Sequence, residues 1–288
     1  VGTLALMLLV LIPGLGVDRN GAQRWLKIPG TSFTFQPSEL AKFALIVYMA
    51  GFMSRRPQAM KNLTKGVFPM LFIMGAFGLV LLLQKNMSMM VIMMMTGVVM
   101  LFLGGAEIKH LLLLAGIAVP ILVVAVLMEE YRISRVLMFM DPWESTEKGA
   151  YQLRQALIAL GAGGVFGQGL NFSRQKLLFL PYGESDFIFA IIGEELGFIG
   201  CTLLILAYLF IIYRGIRIAM RCKDRFGSLM AAGITAVIGM QAAINIAVAT
   251  SSIPPTGQTL PFVSAGGTSL MIFLAAAGIL LNISRNIE

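Results

Sequence analysis

The residues from Phe187 to Tyr213 form an apolar run that is interrupted only by two adjacent carboxylates, Glu194 and Glu195. A run of this length satisfies the ~20 residues that a helix needs to cross the hydrocarbon of a bilayer. Similar runs recur along the chain, and they are too long and continuous for the alternating strands of an outer-membrane barrel. The sequence therefore predicts an all-α fold, a polytopic membrane helix bundle.

Composition agrees with a membrane protein. Hydrophobic residues make up 58% of the 288 residues and charged residues only 12%, which leaves too little polar surface for a soluble globule. The net charge of +8 does not indicate a nucleic-acid partner, because the cations are spread over loops without a basic stripe. We expect membrane lipids around the chain and no nucleic acid.

Eight spans are predicted, within a single transmembrane domain over residues 1–288. They cover residues 1–17, 36–54, 68–83, 87–103, 111–128, 187–213, 227–249 and 268–283. Residues 129–186 form a long loop, in which the Gly-rich segment 155–166 is too short to span and favours an amphipathic segment in the membrane interface. No signal-peptide pattern precedes the first run. Since the chain begins directly in apolar sequence, we expect an N-terminal truncation and read that run as the end of a longer helix.

The short loops predict the orientation. One set, at 55–67, 104–110, 214–226 and the C-terminal tail, holds eleven Lys and Arg residues, whereas the opposite set holds four. The positive-inside rule places the first set in the cytoplasm. The long loop then faces outward, together with the loops around residues 25 and 257.

Asp186 is the strongest candidate for chemistry. It follows a segment with five glycines in residues 161–169 and two cations, Arg174 and Lys176, and it stands where polar loop meets apolar helix. A carboxylate at a membrane boundary is costly unless it is solvated, paired or used, which makes it a functional candidate. The alternative is that Asp186 only caps the following helix. The glycines lack the Gly-Lys-Ser/Thr ending of a phosphate-binding P-loop.

Lys42 is the cation inside the second span. It follows Glu39 at i+3, so the two side chains can pair on one helical face. Lys42 is also an available partner for Glu194 and Glu195 in the sixth span, and such a pair would hold two helices together. Direct contact of these groups with a substrate is the alternative.

Two further pairs have both structural and functional readings. Gln241 and Asn245 lie at i and i+4 on one helical face, and we expect them to bridge helices. Trp25 and Arg24 lie in an outward loop, where a Trp is commonly an interface anchor.

Several strings, in order along nearly the whole chain, resemble the FtsW/RodA/SpoVE family, also called SEDS proteins. The resemblance implies ten helices, of which this chain would hold eight and lack about the first two. It also implies a peptidoglycan glycosyltransferase that polymerises lipid II on the outer face of the bacterial cytoplasmic membrane, with a class B penicillin-binding protein as partner. The strings are NGAQRW at 20–25, QPSE at 36–39, QK at 175–176, DFIFA at 186–190, GEELG at 193–197, PTG at 255–257 and LPF at 260–262.

The resemblance gives Asp186 the role of catalytic residue. An acceptor hydroxyl must lose a proton as it attacks the anomeric carbon, and a carboxylate within hydrogen-bond reach can take it. One carboxylate is enough, because pyrophosphate leaves without the protonation that a sugar alcohol needs.

Six residues are assigned to substrate binding. Basic side chains stabilise a departing pyrophosphate, although those of the long loop can equally meet anionic lipid headgroups. The sequence identifies no definite cofactor, and a divalent cation such as Mg or Mn at the pyrophosphate is left open. The six residues are Arg174, Lys176, Lys42, Trp25, Arg24 and Glu184.

Departures from the family pattern and polar residues within the spans keep two alternatives open. Residues 84–88 lack the usual acidic string, residues 181–185 lack the usual histidine, and Ala265 replaces a tyrosine. These departures favour a non-catalytic scaffold for a penicillin-binding protein as one alternative. The other is a lipid II flippase, which the polar residues within the spans, Lys42, Glu194, Glu195 and Gln241, suggest. The sequence does not distinguish roles in division, elongation and sporulation.

Overall fold

The computed structural model describes residues 2–12, 14–19, 22–27, 30, 34–127, 130–145 and 148–285. Within these residues the chain is mainly helical, which confirms the predicted fold class, and it adds a three-stranded sheet. The α-helices are α1 (Gly2–Leu9), α2 (Pro37–Arg55), α3 (Phe68–Leu83), α4 (Met87–Leu103), α5 (Ile108–Leu127), α6 (Glu130–Met140), α7 (Lys148–Gly163), α8 (Ile188–Arg221), α9 (Arg225–Ala249) and α10 (Gly267–Arg285). The strands are β1 (Gly16–Arg19), β2 (Ala22–Lys27) and β3 (Thr34–Phe35).

The helices agree with a multi-pass membrane protein. Among the described residues, four helical stretches are long and apolar enough to cross a membrane: Leu63–Leu83, α8, α9 and α10. The stretches Met87–Leu103 and Ile108–Ile117 are shorter apolar helices. A helix lies at each of the eight predicted positions, so the polytopic helical fold is confirmed, while the count of eight full spans stays a prediction.

The first predicted span is wrong in its C-terminal half. α1 ends at Leu9, and β1 begins at Gly16, inside the range predicted as one helix. The sequence there contains Pro13, which lacks the donor that a helix interior needs, and two glycines that favour turns. β1 pairs antiparallel with β2, and β2 with β3, so residues predicted as a plain loop form a small sheet.

The internal contacts divide the chain into two compact units. The first comprises Val1–Leu113, Ile212–Ile238 and Gly267–Glu288, and the second comprises Leu114–Ile211 and Gly239–Gly266. Asp186 and the residues that surround it belong to the second unit. The single transmembrane domain stays a prediction.

The long loop predicted at 129–186 contains regular structure. α6, α7 and a single π-helical turn at Gln175–Phe179 lie within it. α7 buries Leu153, Ala156 and Ala159, which recur every three residues on one helical face. The segment predicted at residues 155–166 is thus part of a helix that starts earlier and ends at Gly163, and its position in the membrane interface stays a prediction.

α8 is broken at Gly197, where the backbone adopts φ 66° and ψ −164°. In an unbroken helix, the amides of Phe198 and Ile199 would donate to the carbonyl groups of Glu194 and Glu195. Instead, Phe198 donates to Gly164 at 2.9 Å and Ile199 to Val165 at 3.2 Å. The two carbonyl groups freed in α8 accept from the amides of Gln168 at 2.9 Å and Gly169 at 3.0 Å. Backbone from residues 164–169 therefore replaces the hydrogen bonds that the helix has lost.

The glycines on both sides permit this close approach. A Cβ atom on Gly163 would lie 1.8 Å from the carbonyl oxygen of Gly193, and one on Gly167 would lie 2.2 Å from that of Glu195. Gly197 would bring a Cβ atom 2.3 Å from the amide nitrogen of Gly167. No other residue type fits at these contacts. The glycine cluster noted in the sequence thus allows the backbone of residues 164–169 to lie directly against the backbone of α8 at Gly197, a contact that we call the crossing at Gly197.

Candidate functional site

Asp186 ends a short segment whose main chain is fixed by three successive hydrogen bonds. The carbonyl groups of residues 184, 185 and 186 each accept a hydrogen bond from a residue between 245 and 265. The donors are the Ala265 amide to Glu184 at 2.9 Å, Ser264 Oγ to Ser185 at 2.5 Å, and Asn245 Nδ2 to Asp186 at 2.9 Å. This pattern anchors the backbone that carries the carboxylate and leaves the side chain partly exposed. The segment therefore presents a positioned acid two residues before α8 begins.

Gly257 lies directly against the Asp186 carboxylate. A Cβ atom on Gly257 would stand 3.3 Å from Asp186 Oδ2, and the glycine has a φ of +63°, which other residues rarely adopt. The loop that contains Gly257 thus forms one wall beside the acid. A side chain on that wall would both strain the loop and crowd the carboxylate oxygen.

Gln241 and Asn245 fix this loop to α9. Gln241 Nε2 donates to the carbonyl oxygen and to Oγ1 of Thr259, at 3.0 and 3.1 Å. Asn245 Nδ2 donates to the carbonyl oxygen of Gln258 at 2.6 Å as well as to that of Asp186. The prediction that the two side chains bridge helices is corrected, because both bind the backbone of the loop that follows their own helix. Asn245 therefore links the loop to the acidic segment.

Two of the predicted substrate-binding residues meet beside Asp186. Lys176 Nζ lies 3.5 Å from Glu184 Oε1, and 30% of the lysine side chain and 60% of the glutamate side chain are exposed. Lys176 is therefore paired with a residue that lies two positions before Asp186 in the chain. Arg174 is exposed in the same segment.

Glu194 holds the segment that carries these cations. Its carboxylate, 1% exposed, accepts from Ser173 Oγ at 2.5 Å, the Arg174 amide at 3.2 Å and the Gln175 amide at 3.3 Å. Ser173 Oγ in turn accepts from the Lys176 amide at 3.0 Å. A buried carboxylate satisfied by several donors needs no cation. Glu194 therefore orders the backbone of Arg174 and Lys176.

The predicted pairing of Lys42 with Glu194 or Glu195 is corrected. Lys42 Nζ pairs with Glu39 Oε2 at 2.8 Å in the first unit, as the i+3 spacing predicts. The ammonium group also lies 4.5 Å from the ring centroid of Phe273. Lys42 has no exposed surface, so it offers nothing for a substrate to contact in this geometry. Glu195 takes part in the crossing at Gly197 through its carbonyl oxygen.

Arg24 and Trp25 lie on β2, in the first unit. The Arg24 guanidinium donates to the carbonyl oxygen of Lys85 at 2.5 Å, and Trp25 pairs with Val17 across the sheet. The turn at residues 84–86, where the chain departs from the family pattern, is also held by Gln84 Nε2, which donates to the Met7 carbonyl oxygen at 2.7 Å. These contacts support a structural role, and a substrate-binding role for both residues stays a prediction.

In the part of the chain that the structure describes, no group of three or more His, Cys, Asp and Glu side chains could hold a metal ion. The segment around Asp186 offers a partly exposed acid and, through the Lys176–Glu184 pair, a cation. This combination suits proton abstraction next to an anionic leaving group.

Sequence reasoning missed two contributors to this site. Ser264 and Gly257 act through a hydroxyl and through the absence of a side chain, and neither stood out by charge. The signal that pointed near them was the PTG string at 255–257 and the nearby LPF string.

Comparison with known proteins gives matches over the whole chain. A family model described as "Cell cycle protein", of the FtsW/RodA/SpoVE family, matches residues 1–288. A protein of Geobacter sp. (strain M18), "Probable peptidoglycan glycosyltransferase FtsW", is 43% identical over 287 residues, covering 100% of this chain and 78% of the relative. "Stage V sporulation protein E" of Bacillus subtilis (strain 168) is 44% identical over 280 residues, covering 97% and 76%.

Solved structures show the same fold. A chain from a study described as "Structural coordination of polymerization and crosslinking by a peptidoglycan synthase complex" matches with a TM-score of 0.79 and 28% identity, covering 99% of this chain and 79% of that one. The rod shape determining protein RodA of Thermus thermophilus matches with a TM-score of 0.69 and 26% identity, covering 99% and 76%.

Proposed function

The chain belongs to the FtsW/RodA/SpoVE family of cell cycle proteins, and from this premise we propose that it polymerises lipid II with Asp186 as general base. Its curated relatives are named peptidoglycan glycosyltransferases, so this is a glycosyltransferase of peptidoglycan synthesis in a multi-pass membrane protein. The observation that carries the proposal is the fixed main chain of residues 184–186, which presents the partly exposed Asp186 carboxylate two residues after Glu184, the partner of Lys176.

The reaction needs one proton transfer and the departure of one negatively charged leaving group. Asp186 accepts the proton of the acceptor sugar hydroxyl while that oxygen attacks the anomeric carbon of the second lipid-linked sugar. The bond from the anomeric carbon to the pyrophosphate oxygen breaks, and the electron pair leaves with undecaprenyl pyrophosphate. Lys176 and Arg174 stabilise the negative charge of the leaving group. A divalent cation would add to this stabilisation, and no step above depends on it.

The location follows from the charge distribution. The basic loops predict that the Asp186 side faces away from the cytoplasm, so the substrates are lipid-linked sugars that have already crossed the bacterial cytoplasmic membrane. One solved relative belongs to a peptidoglycan synthase complex in which polymerization is coordinated with crosslinking. A class B penicillin-binding protein is accordingly the proposed partner.

Purified full-length protein and fluorescent lipid II test the proposal. We expect wild type to form glycan polymer and Asp186→Ala to form none, while Glu107→Gln, an exposed substitution next to Lys109, retains activity. Polymer from Asp186→Ala at the wild-type rate would remove Asp186 from the mechanism.

The helix break at Gly197 bears on the flippase alternative, because transporters build their binding sites on broken helices. Here the backbone groups at the break are already occupied by residues 164–169, so they are not open to a substrate or an ion. Lipid II translocation in proteoliposomes that persists in Asp186→Ala, without polymer from wild type, would favour the flippase. Growth of cells in which Asp186→Ala replaces the wild type would favour the scaffold.

A further inference from the structure

α7 changes in polarity along its axis. Its first half carries polar side chains, whereas residues 156–163, with the sequence ALIALGAG, carry none. The outer surface of the helix is apolar as well, since Tyr151 and Ile158 are exposed on it. A helical half that is apolar on all sides suits hydrocarbon better than water. The C-terminal end of α7 is therefore its most lipophilic part.

The turn that follows α7 exposes two large apolar side chains. Val165 is 56% exposed, and Phe166 is 82% exposed. More than half of each residue is therefore not covered by protein. Exposed apolar side chains at the tip of a turn indicate a surface that contacts a membrane or another protein.

The hydrogen bonds at the Gly197 break fix the position of this tip along the length of α8. The carbonyl groups of Gly164 and Val165 accept from Phe198 and Ile199, which belong to α8, a candidate membrane span. Phe198 is itself 68% exposed, and Leu203, farther along the same span, is 62% exposed. The tip thus lies beside the outward-facing, apolar surface of a membrane helix.

The irregular backbone at this level is compatible with hydrocarbon. Non-helical segments occur at membrane depth where their polar groups are satisfied within the protein. Four hydrogen bonds between residues 164–169 and α8, and one from the Gly167 amide to the Gly163 carbonyl, meet part of this condition on both sides of Phe166. After the tip, the chain passes Gln168 and Asn171, and two exposed apolar residues, Leu170 and Phe172, before it reaches Arg174 and Lys176. The two cations suit the headgroup region.

We propose that the second half of α7 and the turn at residues 164–169 form a re-entrant segment whose tip, Val165 and Phe166, contacts the acyl chains of the bilayer. This contact continues the lipid-facing surface of α8 and is independent of the catalytic role of Asp186. The long loop is then partly inserted in the membrane.

Depth-dependent quenching tests the proposal in the full-length chain, reconstituted into phosphatidylcholine vesicles. Single cysteines are placed at Phe166→Cys and Phe172→Cys in a Cys201→Ser, Cys222→Ser background and labelled with an environment-sensitive fluorophore. Phe172 is the matched control, because it is also a phenylalanine, is 71% exposed, and lies two residues before Arg174. We expect the label at 166 to be quenched by acyl-chain nitroxides and protected from iodide, with the reverse order at 172.

Two results would overturn the proposal. Equal iodide quenching at both positions would place the tip in water. Protection of the label at 166 from both iodide and chain nitroxides would mean that protein, and not lipid, covers the tip. If Phe166→Cys fails to fold, Val165→Cys carries the same expectation, because it lies on the same tip.

Discussion

Asn245 Nδ2 donates a hydrogen bond to the main-chain carbonyl oxygen of Asp186 at 2.9 Å, although 59 residues separate the two along the chain. The same nitrogen donates to Gln258 at 2.6 Å. One buried amide thus fixes the acid and the loop beside it. If Asp186 is the general base, as proposed, we expect the side chain of Asn245 to affect the reaction by positioning this acid.

Asn245→Ala should lower kcat with little change in KM. The substitution leaves two carbonyl groups without this donor, at about 1–3 kcal/mol for a buried unsatisfied group, and it releases Asp186 from its position. A misplacement of about 1 Å is enough for ~10²-fold in rate. Steady-state polymerisation of lipid II measures the two constants.

Gln241→Ala is the control for Asn245→Ala. Gln241 lies one helical turn away and binds Thr259, but none of its hydrogen bonds given above reaches Asp186. We expect a similar loss of thermal stability and a smaller loss of kcat. Equal effects of the two substitutions on kcat would contradict the positioning role of Asn245.

Gly257→Ala should reduce both stability and activity. The residue has a φ of +63°, where a Cβ atom costs about 1–2 kcal/mol, and the added methyl group would stand 3.3 Å from Asp186 Oδ2. Gly278→Ala in α10 is the matched control, because a Cβ atom there meets nothing within 4 Å. Thermal unfolding in detergent and a polymerisation assay report the two effects, and a fully active Gly257→Ala would show that the wall beside the acid is not needed.

Glu194→Ala should raise KM and expose residues 173–176 to proteolysis. The substitution removes the acceptor for Ser173 and for two backbone amides, so the segment that carries Arg174 and Lys176 loses its anchor. Each buried donor left unsatisfied costs about 1–3 kcal/mol. Limited proteolysis with mass spectrometry locates the cleavage.

Glu195→Ala serves as the neighbouring control for Glu194→Ala. Glu195 contributes its carbonyl oxygen to the crossing at Gly197, and that atom remains after the substitution. We expect no new cleavage at 173–176. Cleavage in both variants would assign the effect to α8 as a whole.

Substitutions of Lys176 and Glu184 distinguish the effect of the lysine charge on activity from the effect of the ion pair on stability. A partly exposed ion pair is worth about 0–1 kcal/mol, so both Lys176→Ala and Glu184→Gln should leave the melting temperature nearly unchanged. Only Lys176→Ala removes the cation that we propose stabilises the leaving group, so it should lower activity, whereas Glu184→Gln should retain activity. Equal losses in the two variants would mean that the pair itself matters and not the cation.

Lys42→Met should destabilise the first unit strongly. Breaking a buried pair by removing one partner costs about 3–5 kcal/mol, because the remaining Glu39 is left charged and buried. The double variant Lys42→Met, Glu39→Gln should recover much of the loss. Thermal unfolding of wild type, both single variants and the double variant gives the coupling energy, and additive losses would contradict the pairing.

The sequence predicted the helices better than the contacts between them. Apolar runs in the sequence predicted each of the eight helical positions. A helix that crosses a membrane needs a continuous run of apolar residues, and such a run can be read directly from the sequence. The small sheet at residues 16–35 was missed, since its strands are short and polar residues interrupt them. Of the partners predicted for Lys42, Glu39 was correct, because the i+3 pair follows from helix geometry.

The hydrogen bonds of Glu194 had no comparable signal. Two of its three donors are backbone amides, which every residue except proline carries, so no side-chain pattern reveals them. Charge alone pointed to Lys42 as the partner. The contact between residues 164–169 and α8 at Gly197 was missed for the same reason, because it also consists of backbone hydrogen bonds. Only the glycines in the sequence indicated that two backbones come close together there.

The break in α8 has a mechanical result. On both sides of Gly197, two residues of α8 are bonded to the turn after α7: Glu194 and Glu195 before it, and Phe198 and Ile199 after it. A rotation of the part of α8 after Gly197 is therefore transmitted toward Asp186 through that turn as well as along the helix. The acid is thus linked mechanically to α7 in addition to the helix that it precedes.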